Sequence, residues 1–252
     1  MRETDFATRN AVTEIDVIEF YDSYASSWDS RFCNNYATNY FLERRWRSFV
    51  DAVEYSHVYK KKAIELGVGT GVYIEKACSL FESIMAVDGS QNMIAILQGR
   101  IKKSNIDNVF TLQANATNLK KIHTANADCV YFFGLIEHII DVSSFLMEIK
   151  RVLKKDGVVI GVTPNKNSPW YKIRHFIRQT GKHCTTDKYY SLNELNELFS
   201  SIGFHKIYSC YWGAVPAGIN DCLGRFFSII EPLLEHSFMR SLLGGITFSY
   251  RK

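Results

Sequence analysis

The sequence predicts an α/β fold in which a largely parallel β-sheet carries helices on both faces. Short apolar runs alternate with helix-like stretches up to Thr163, and such alternation produces parallel strands joined by right-handed crossovers. A glycine-rich turn, Glu65-Leu66-Gly67-Val68-Gly69-Thr70-Gly71, separates the apolar pair Ala63-Ile64 from a helix-like run between Val72 and Phe81. The length of 252 residues suits one domain of this kind with added segments.

The glycine-rich turn predicts a ligand site. Glycines at alternate positions let the backbone pass very close to a ligand, and the free N–H groups at the start of a following helix point toward it. The dinucleotide pattern G-x-G-x-x-G would need a glycine at position 72, where the chain has Val72. The turn therefore favours a ligand other than a dinucleotide, although a purely structural loop explains the turn taken alone.

The second predicted strand, Ser83–Asp88, is a short buried run that ends in an acid. A carboxylate at this position can accept hydrogen bonds from both ribose hydroxyls of a nucleoside that lies across the strand ends. Met93 lies at the start of the next helix, and a third strand, Val109–Gln113, leads to Asn115-Ala116.

The rest of the chain continues the alternation of strands and helices. The remaining predicted elements are a fourth strand at Asp128–Phe133, a fifth at Val158–Thr163, a helix over Leu192–Ile202, two strands at Phe204–Trp212 and Gly245–Arg251, and N-terminal helices from about Thr13 and over about Thr38–Val53. Ser191 is expected to cap the helix that begins at Leu192, and Gly203 is expected to end it.

These motifs, in this order and at these gaps, resemble those of the class I S-adenosylmethionine-dependent methyltransferases. The E-x-G-x-G-x-G turn resembles motif I of that family, and Glu137-His138 resembles the LEH element of its small-molecule members. Lys154-Lys155-Asp156-Gly157 resembles the family's LKPGG turn. The resemblance covers about Phe20 to Phe204 and returns at the last strand. It implies a Rossmann-like seven-stranded sheet of order 3-2-1-4-5-7-6 with the last strand antiparallel.

The same resemblance implies S-adenosyl-L-methionine as the cofactor. The cofactor-binding residues that it implies are Tyr21, Glu65, Gly67, Gly69, Gly71, Asp88, Met93, Asn115, Ala116 and Phe133. Asn115 stands where the family usually has Asp, and its amide oxygen can still accept from an adenine amino group without the charge. Core packing at a helix start remains the alternative role for Met93. Gly134 stands where metal-binding relatives have a glutamate, so no metal is expected.

His138 and Glu137 are the implied catalytic residues. A sulfonium methyl group is already activated, so its transfer needs in-line approach of a nucleophile, and positioning contributes about 7–11 kcal/mol in the best intramolecular models. A hydroxyl nucleophile also needs a base, and imidazole titrates near the working pH. The alternatives are that His138 only orders its loop, and that Glu137 either binds substrate or braces the turn.

The whole chain, residues 1–252, is predicted to form a single methyltransferase domain whose first 55 residues, 1–55, form a helical cover. Tyr21, Ala25 and Trp28 recur at helical spacing and match a family element that closes over the methionine end of the cofactor. A core-facing stripe on the helix explains the same spacing.

Two segments are additions on the substrate side of the predicted domain. Residues 164–190 mix aromatic and basic side chains at the carboxyl end of the fifth strand, which suits either a planar or anionic substrate or a solvated amphipathic helix. Residues 214–243 are apolar on nearly all sides of a predicted helix. This pattern favours a packing lid or a subunit contact over membrane docking, because the cationic face of interfacial helices is missing.

Composition and charge narrow the classes of function. The net charge is +4 and the lysines are scattered, so no nucleic-acid partner is expected. The six cysteines form no C-x-x-C pair, which suits a reducing compartment and argues against a disulfide framework and a zinc site. No apolar run approaches the length that spans a bilayer, and Met1–Asn10 does not resemble a signal peptide. A cytoplasmic location is expected.

The sequence therefore predicts methyl transfer to a small organic acceptor, at a hydroxyl oxygen, by in-line displacement. The alternatives within this chemistry are methylation of nitrogen and O-methylation of a lipophilic quinol precursor. Alternatives from other classes are a non-catalytic scaffold that binds the cofactor, a nicotinamide oxidoreductase and an RNA methyltransferase. The identity of the acceptor (phenol, quinol precursor, sugar or natural-product scaffold) and the oligomeric state stay open.

Overall fold

A seven-stranded β-sheet forms the centre of the protein. The structure is a computed structural model that describes residues 12–32, 35–170, 187–216 and 219–252. The strands are β1 (Lys62–Leu66), β2 (Ser83–Asp88), β3 (Val109–Gln113), β4 (Ala127–Phe133), β5 (Leu153–Pro164), β6 (His205–Trp212) and β7 (Gly245–Arg251). The α-helices are α1 (Glu14–Tyr24), α2 (Tyr36–Tyr55), α3 (Ile74–Ala77), α4 (Gln91–Lys103), α5 (Val142–Val152), α6 (Leu192–Ser201) and α7 (Asp221–Glu235).

The strand order is β3-β2-β1-β4-β5-β7-β6. Strands β1 to β5 pair in parallel, whereas β7 runs antiparallel to both β5 and β6. The order of strands reverses between β1 and β4, and open sheets of this type bind ligands at the carboxyl ends of the strands at that position. The predicted fold class, strand order and antiparallel last strand are confirmed.

Side chains on the two faces of the sheet form two separate hydrophobic cores. Because successive residues of a strand point to opposite faces, Ile64 of β1 packs with α5 and α6, whereas its neighbour Ala63 packs with α2, α3 and α4. The same alternation places Phe132 in the first core and Tyr131 in the second. The helices therefore cover both faces and hold the strand ends at fixed positions.

Side-chain caps fix the helix starts. Thr13 and Asp16 form a reciprocal capping box at α1, and Ser191 and Glu194 form another at α6. Such caps satisfy N–H groups that would otherwise lack partners within the helix. The predicted cap at Ser191 is confirmed.

Two local predictions differ from the structure. The predicted turn at 154–157 lies inside β5, which begins at Leu153, because Leu153 already pairs with Ala127 and the register then shifts before Val158. The predicted helix-like run from 72 to 81 is α-helical only over α3. The side-chain amide of Asn108 donates hydrogen bonds to the carbonyl oxygens of Cys78 and Phe81 at 2.8 and 2.9 Å. These bonds stand in place of helical hydrogen bonds to the same carbonyl groups.

The predicted cover and the two predicted additions are partly visible. Helices α1 and α2 lie within residues 1–55, the predicted cover, and α7 occupies half of the 214–243 segment. Residues 171–186, which carry most of the predicted aromatic and basic set, lie outside the described residues, as do residues 1–11. No helix within the described part of the chain is long and apolar enough to cross a membrane.

Candidate active site

A cavity lies at the carboxyl ends of β1, β2 and β4. Its empty volume is about 1090 Å³, which includes the solvent space at its open entrance. Its lining includes ten of the residues that the sequence predicts: Tyr21, Glu65, Gly67, Gly69, Asp88, Met93, Asn115, Ala116, Phe133 and His138. The other two predicted residues, Gly71 and Glu137, are not part of the lining. The structure thus brings most of the predicted site together around one space.

The three glycines of the turn after β1 have different surroundings. All three have positive φ angles, +66° at Gly67, +57° at Gly69 and +79° at Gly71, which L side chains rarely adopt. A Cβ atom on Gly71 would lie 2.5 Å from Leu97, whereas a Cβ atom on Gly69 would meet nothing nearer than Trp28 Nε1 at 3.8 Å. Gly71 is therefore needed for helix packing, and Gly69 leaves open space above the backbone.

Glu65 is a buried acid at the end of β1, with 3% of its surface exposed. The hydroxyl of Tyr131, which is its register partner on β4, donates a hydrogen bond of 3.0 Å to Oε2. Burial raises the pKa of Glu65 to about 8, although this hydrogen bond and the charge of Arg45 act in the opposite direction. The cavity thus contains an acid that a cationic ligand group would ionise.

Asp88 is held in place by backbone groups. Its carboxylate accepts hydrogen bonds from the N–H of Gly69 at 2.8 Å and from the N–H of Ser90 at 2.9 Å. Burial raises the pKa of Asp88, and these backbone hydrogen bonds oppose the rise. The carboxylate therefore ties the end of β2 to the glycine turn after β1 while it faces the cavity.

Met93, Asn115 and Ala116 form an adjoining part of the lining. Met93 is 2% exposed, and its N–H donates to the cap residue Ser90. The Oδ1 atom of Asn115 accepts from the N–H of Thr117 at 2.9 Å, which leaves this oxygen one further lone pair. The lining here is apolar with a single amide, as expected for a site that holds a planar base.

Arg45 of α2 lines the same cavity and was missed by the sequence analysis. Among the described lining residues it is the one with a permanent positive charge. Its Cζ atom lies 5.5 Å from the centroid of the Phe133 ring. Gly134 leaves room for the guanidinium, because a Cβ atom at this position would lie 2.6 Å from Nη2 of Arg45. The cavity therefore offers a cation beside the buried acid Glu65.

His138 follows β4 in a short 3₁₀ turn, Ile136–His138, and its ring lines the cavity. Its Nδ1 atom lies 2.9 Å from Oδ1 of Asp187, and the hydroxyl of Tyr21 lies 3.1 Å from its Nε2 atom and 3.2 Å from its Nδ1 atom. Burial lowers the pKa of His138, but the hydrogen bond to Asp187 and the charges of Glu137 and Asp187 outweigh it, so the net pKa is raised. An imidazole in these contacts can accept a proton from a group in the cavity.

Glu137 braces the turn that carries His138. Its carboxylate is buried, with 4% of the residue exposed, and accepts a hydrogen bond of 3.0 Å from the Thr163 hydroxyl of β5. Its backbone carbonyl accepts from the N–H of Lys188 at 2.9 Å. Burial raises its pKa. These contacts fix the turn between β4, β5 and the 187–190 segment.

Two acids attach the N-terminal cover to the sheet. Asp22 of α1 accepts from the Ser90 hydroxyl at 2.6 Å and from the Asn92 backbone N–H at 2.9 Å. Asp29 accepts from the Thr70 hydroxyl and from Arg100, both at 2.6 Å. The cover is therefore fastened to the same turns that line the cavity, after β1 and β2.

The residues that the sequence analysis missed had weak signals. Arg45 lies four residues from both Phe41 and Phe49, so it is a charge on the buried stripe of a predicted helix, and such a charge needs a partner or a ligand. Tyr131 could have been paired with Glu65 only through the exact register of β1 and β4. Asp187 lies in an addition to the core and has no local signal.

Comparison with known families assigns this arrangement. The profile described as "Methyltransferase domain" matches residues 64–161, from β1 to β5. Residues 64–161 thus match a methyltransferase domain, and the chain is similar in sequence and in fold to S-adenosylmethionine-dependent methyltransferases. A relative named "Ubiquinone biosynthesis O-methyltransferase" from Pelagibacter ubique is 27% identical over 110 residues, which cover 44% of this chain and 45% of the relative. The match to this curated relative thus spans less than half of its length.

Solved structures share the fold of this methyltransferase domain. An S-adenosylmethionine-dependent methyltransferase from Thermotoga maritima superimposes with a TM-score of 0.67 at 20% identity, covering 93% of this chain and 99% of the other. The DhpI–SAH complex superimposes with a TM-score of 0.63 at 19% identity, covering 94% and 96%. At these identities the likeness shows the fold alone.

In the described parts of the chain, no three His, Cys, Asp or Glu side chains cluster in a way that could hold a metal ion. Gly134 leaves the position of a further acid empty and admits the side chain of Arg45 instead. A guanidinium at that position repels a cation.

Proposed function

We propose that the protein transfers a methyl group from S-adenosyl-L-methionine to a hydroxyl oxygen of a small organic acceptor. One observation carries this proposal: the glycine turn, the acids Glu65 and Asp88, and the imidazole of His138 line the same cavity. A donor site and a base that share one space allow in-line transfer to a bound hydroxyl.

The cavity residues fit the methionine part of the cofactor. That part carries a carboxylate, an ammonium group and a sulfonium, and the lining offers the cation Arg45 and the buried acid Glu65. The open space above Gly69 lets the cofactor approach the backbone closely. We assign Arg45 to the carboxylate and Glu65 to the cationic groups.

The residues at and after the ends of β2 and β3 fit the nucleoside part of the cofactor. Asp88 would accept from the ribose hydroxyls, since its carboxylate faces the cavity while backbone N–H groups fix its orientation. Met93 and Ala116 supply apolar surface for the adenine ring, and the second lone pair of Asn115 Oδ1 can accept from the amino group. Phe133 would lie near the methionine amine.

When bound, the cofactor supplies an activated methyl group on sulfur. His138 would accept the proton of the acceptor hydroxyl at Nε2, and the raised pKa of the imidazole keeps that proton bound during the transfer. Tyr21 and Trp28 of the cover line the cavity and would exclude water from the reacting groups. Glu137 and Gly71 would act indirectly, by holding the turn of His138 and the start of α3.

The aromatic lining supports a planar acceptor. Tyr21, Trp28 and Phe32 present ring surface to the cavity beside His138, and aromatic lining of this kind favours planar apolar ligands. The name of the Pelagibacter relative is consistent with O-methylation of a quinol precursor. Methylation of nitrogen is the alternative that the same cavity admits.

Nucleic acid is not proposed as a substrate. A cytoplasmic location fits the cysteines of the described residues, which form no disulfide: Cys78, Cys129, Cys210 and Cys222.

A turnover screen tests this proposal. The purified chain would be incubated with S-adenosyl-L-methionine carrying a labelled methyl group and a panel of phenols, catechols, quinol precursors, sugars and amines. We expect S-adenosylhomocysteine release and label transfer with hydroxyl acceptors. Label transfer only to amines would contradict the choice of oxygen. Cofactor binding without any product would instead indicate the scaffold alternative.

A further inference from the structure

We propose that Asp187 is the positioning residue of His138: it holds the Nδ1 atom, so that Nε2 is the basic nitrogen presented to the acceptor. This inference rests on the proposed function and names a residue that no motif in the sequence indicated. Asp187 acts through His138 and is not assigned a contact with substrate.

The distance between the two side chains is that of a hydrogen bond. Oδ1 of Asp187 lies 2.9 Å from Nδ1 of His138, and the side chains are 21% and 20% exposed. Carboxylate contacts to imidazole shielded from bulk water are stronger than exposed ones. The pair is therefore a defined interaction and not a fluctuating surface contact.

The segment that carries Asp187 is anchored to residues that follow β4 and β5. The N–H of Lys188 donates to the carbonyl of Glu137 at 2.9 Å, and Tyr190 forms a bridge with Asn165 at the end of β5. Tyr190 is 1% exposed. These contacts bring residue 187 to the turn of His138 and hold it there.

The hydrogen bond determines which nitrogen carries the proton. A carboxylate accepts only from an N–H group, so a neutral His138 with this partner is protonated at Nδ1 and has its lone pair at Nε2. The hydroxyl of Tyr21 lies 3.1 Å from Nε2 and 3.2 Å from Nδ1, so it contacts the edge of the ring without selecting one nitrogen. Asp187 is therefore the partner that distinguishes the two nitrogens, and it leaves Nε2 for the acceptor hydroxyl.

The proton and charge balance of the step assigns a second role to Asp187. The acceptor oxygen bonds to the methyl carbon as the carbon–sulfur bonding pair stays on sulfur, and the hydroxyl proton moves to Nε2. The positive charge therefore passes from sulfur to the imidazole, and the proton later leaves to solvent. The carboxylate of Asp187 stabilises that imidazolium, as the carboxylate does in the general triad arrangement.

Within the described residues, charged and polar groups from several segments act on the ring of His138. Asp187 and Glu137 raise its pKa, Arg45 of α2 lowers it, and the Tyr21 hydroxyl of α1 lies 3.1 Å from Nε2. Replacing Asp187 by an amide removes the favourable charge, and the amide oxygen accepts only a weaker hydrogen bond from Nδ1 than the carboxylate does. The proton affinity of His138 must then fall, and the acid limb of the pH–rate profile must move to lower pH.

The experiment compares Asp187→Asn, Asp187→Glu and the control Asp141→Asn in the full chain. Asp141 lies just beyond His138 and caps α5, a task that Asn performs equally well. We expect Asp187→Asn to lower kcat by about tenfold to a hundredfold, with the acid limb at lower pH and unchanged S-adenosylhomocysteine affinity by calorimetry. Asp187→Glu should restore part of the rate and of the limb. Asp141→Asn should change neither.

Histidine NMR of the resting protein provides a readout that does not require turnover. We expect the Nδ1-protonated form of His138 in the unmodified chain and a lower pKa in Asp187→Asn. An unchanged pKa and tautomer would overturn the inference, as would an active Asp187→Asn variant with the original pH profile. A chain that methylates no acceptor, but whose His138 responds as expected, would contradict the proposed function and not the contact.

Discussion

The proposed donor half of the cavity, around Gly69 and Asp88, and the proposed acceptor half, around His138, are built in different ways. Around Gly69 and Asp88 the site is made of backbone N–H groups and buried acids at the ends of neighbouring strands, so the sheet itself fixes the geometry. Around His138 the site is made of side chains from three distant segments, joined by hydrogen bonds to Tyr21 and Asp187. The geometry of the first half depends on the strand ends that form the sheet, whereas the second half can vary while the sheet stays unchanged. Specificity for the acceptor is therefore expected to reside in the second half.

Substitution of His138 should have the largest effect and should be confined to the acceptor half. In His138→Ala the hydroxyl proton has no acceptor, so kcat should fall by about 10²- to 10⁴-fold, the usual contribution of general base catalysis. Calorimetry should show cofactor affinity within about threefold of the original, because His138 is not part of the donor half. Full activity of the variant would remove His138 from the mechanism.

Substitution of Asp88 should affect the donor half instead. Asp88→Ala removes the acceptor of the Gly69 and Ser90 N–H groups as well as the contact to the ribose. Two or three hydrogen bonds to a charged group correspond to about a hundredfold or more in affinity for S-adenosylhomocysteine. The exposed residue Asp107 before β3 offers a control, and Asp107→Ala should bind normally. Unchanged calorimetric affinity in a folded Asp88→Ala variant counts against the assignment of the donor half.

The glycines sharpen the comparison within the donor half. Gly71→Ala places a Cβ atom 2.5 Å from Leu97 at a φ of +79°, and overlap together with left-handed strain should destabilise the fold by about 2–4 kcal/mol. Gly69→Ala has strain without overlap, about 1–2 kcal/mol, but its methyl group projects into the cofactor space. Denaturant unfolding should therefore find Gly71→Ala the less stable variant, whereas calorimetry should find the weaker cofactor binding in Gly69→Ala. If one variant is worse in both measurements, the two glycines do not have the separate roles proposed here.

Ionisation of Glu65 provides the smallest effect and a test by pH. Burial raises its pKa to about 8, so the free protein holds this carboxyl protonated at pH 7. A cationic ligand group favours the carboxylate and lowers that pKa, so binding should release up to about one proton at pH 7, and affinity should rise with pH until about pH 8 and then level off. Calorimetry in buffers of different ionisation enthalpy measures the release. Glu65→Gln should abolish it, and release that persists in this variant would assign the proton to another group.

The residues predicted for the donor half line one cavity, and they could be chosen from the sequence because their signals are local. Gly67 and Gly69 lie in the turn after β1 and Asp88 ends β2, and the parallel pairing of β1 and β2 brings these strand ends together. The alternation of elements predicted parallel strands with right-handed crossovers, whereas the strand order and the antiparallel last strand were implied by the resemblance to class I methyltransferases. The helix after the glycine turn was predicted too long, because the side chain of Asn108 competes for its carbonyl groups from a distant loop.

The acceptor half was predicted only in part because its contacts are distant in sequence. His138 was expected at the rim of the site, but its partner Asp187 lies 49 positions away in an added segment. Arg45 was missed because α2 lies outside the motifs, although its charge stands on a buried helical stripe. No local pattern specifies which side chains meet after such long connections, and only the packing of the cover and the added segments determines it.

A calorimetric titration with S-adenosylhomocysteine and with NADH tests the central claim most directly. The open backbone at Gly69, the cation Arg45 and the acid Glu65 suit an amino-acid tail rather than a pyrophosphate. We predict a single S-adenosylhomocysteine site on the full chain and no heat of binding with NADH. Uptake of NADH by a chain that ignores S-adenosylhomocysteine would contradict the account.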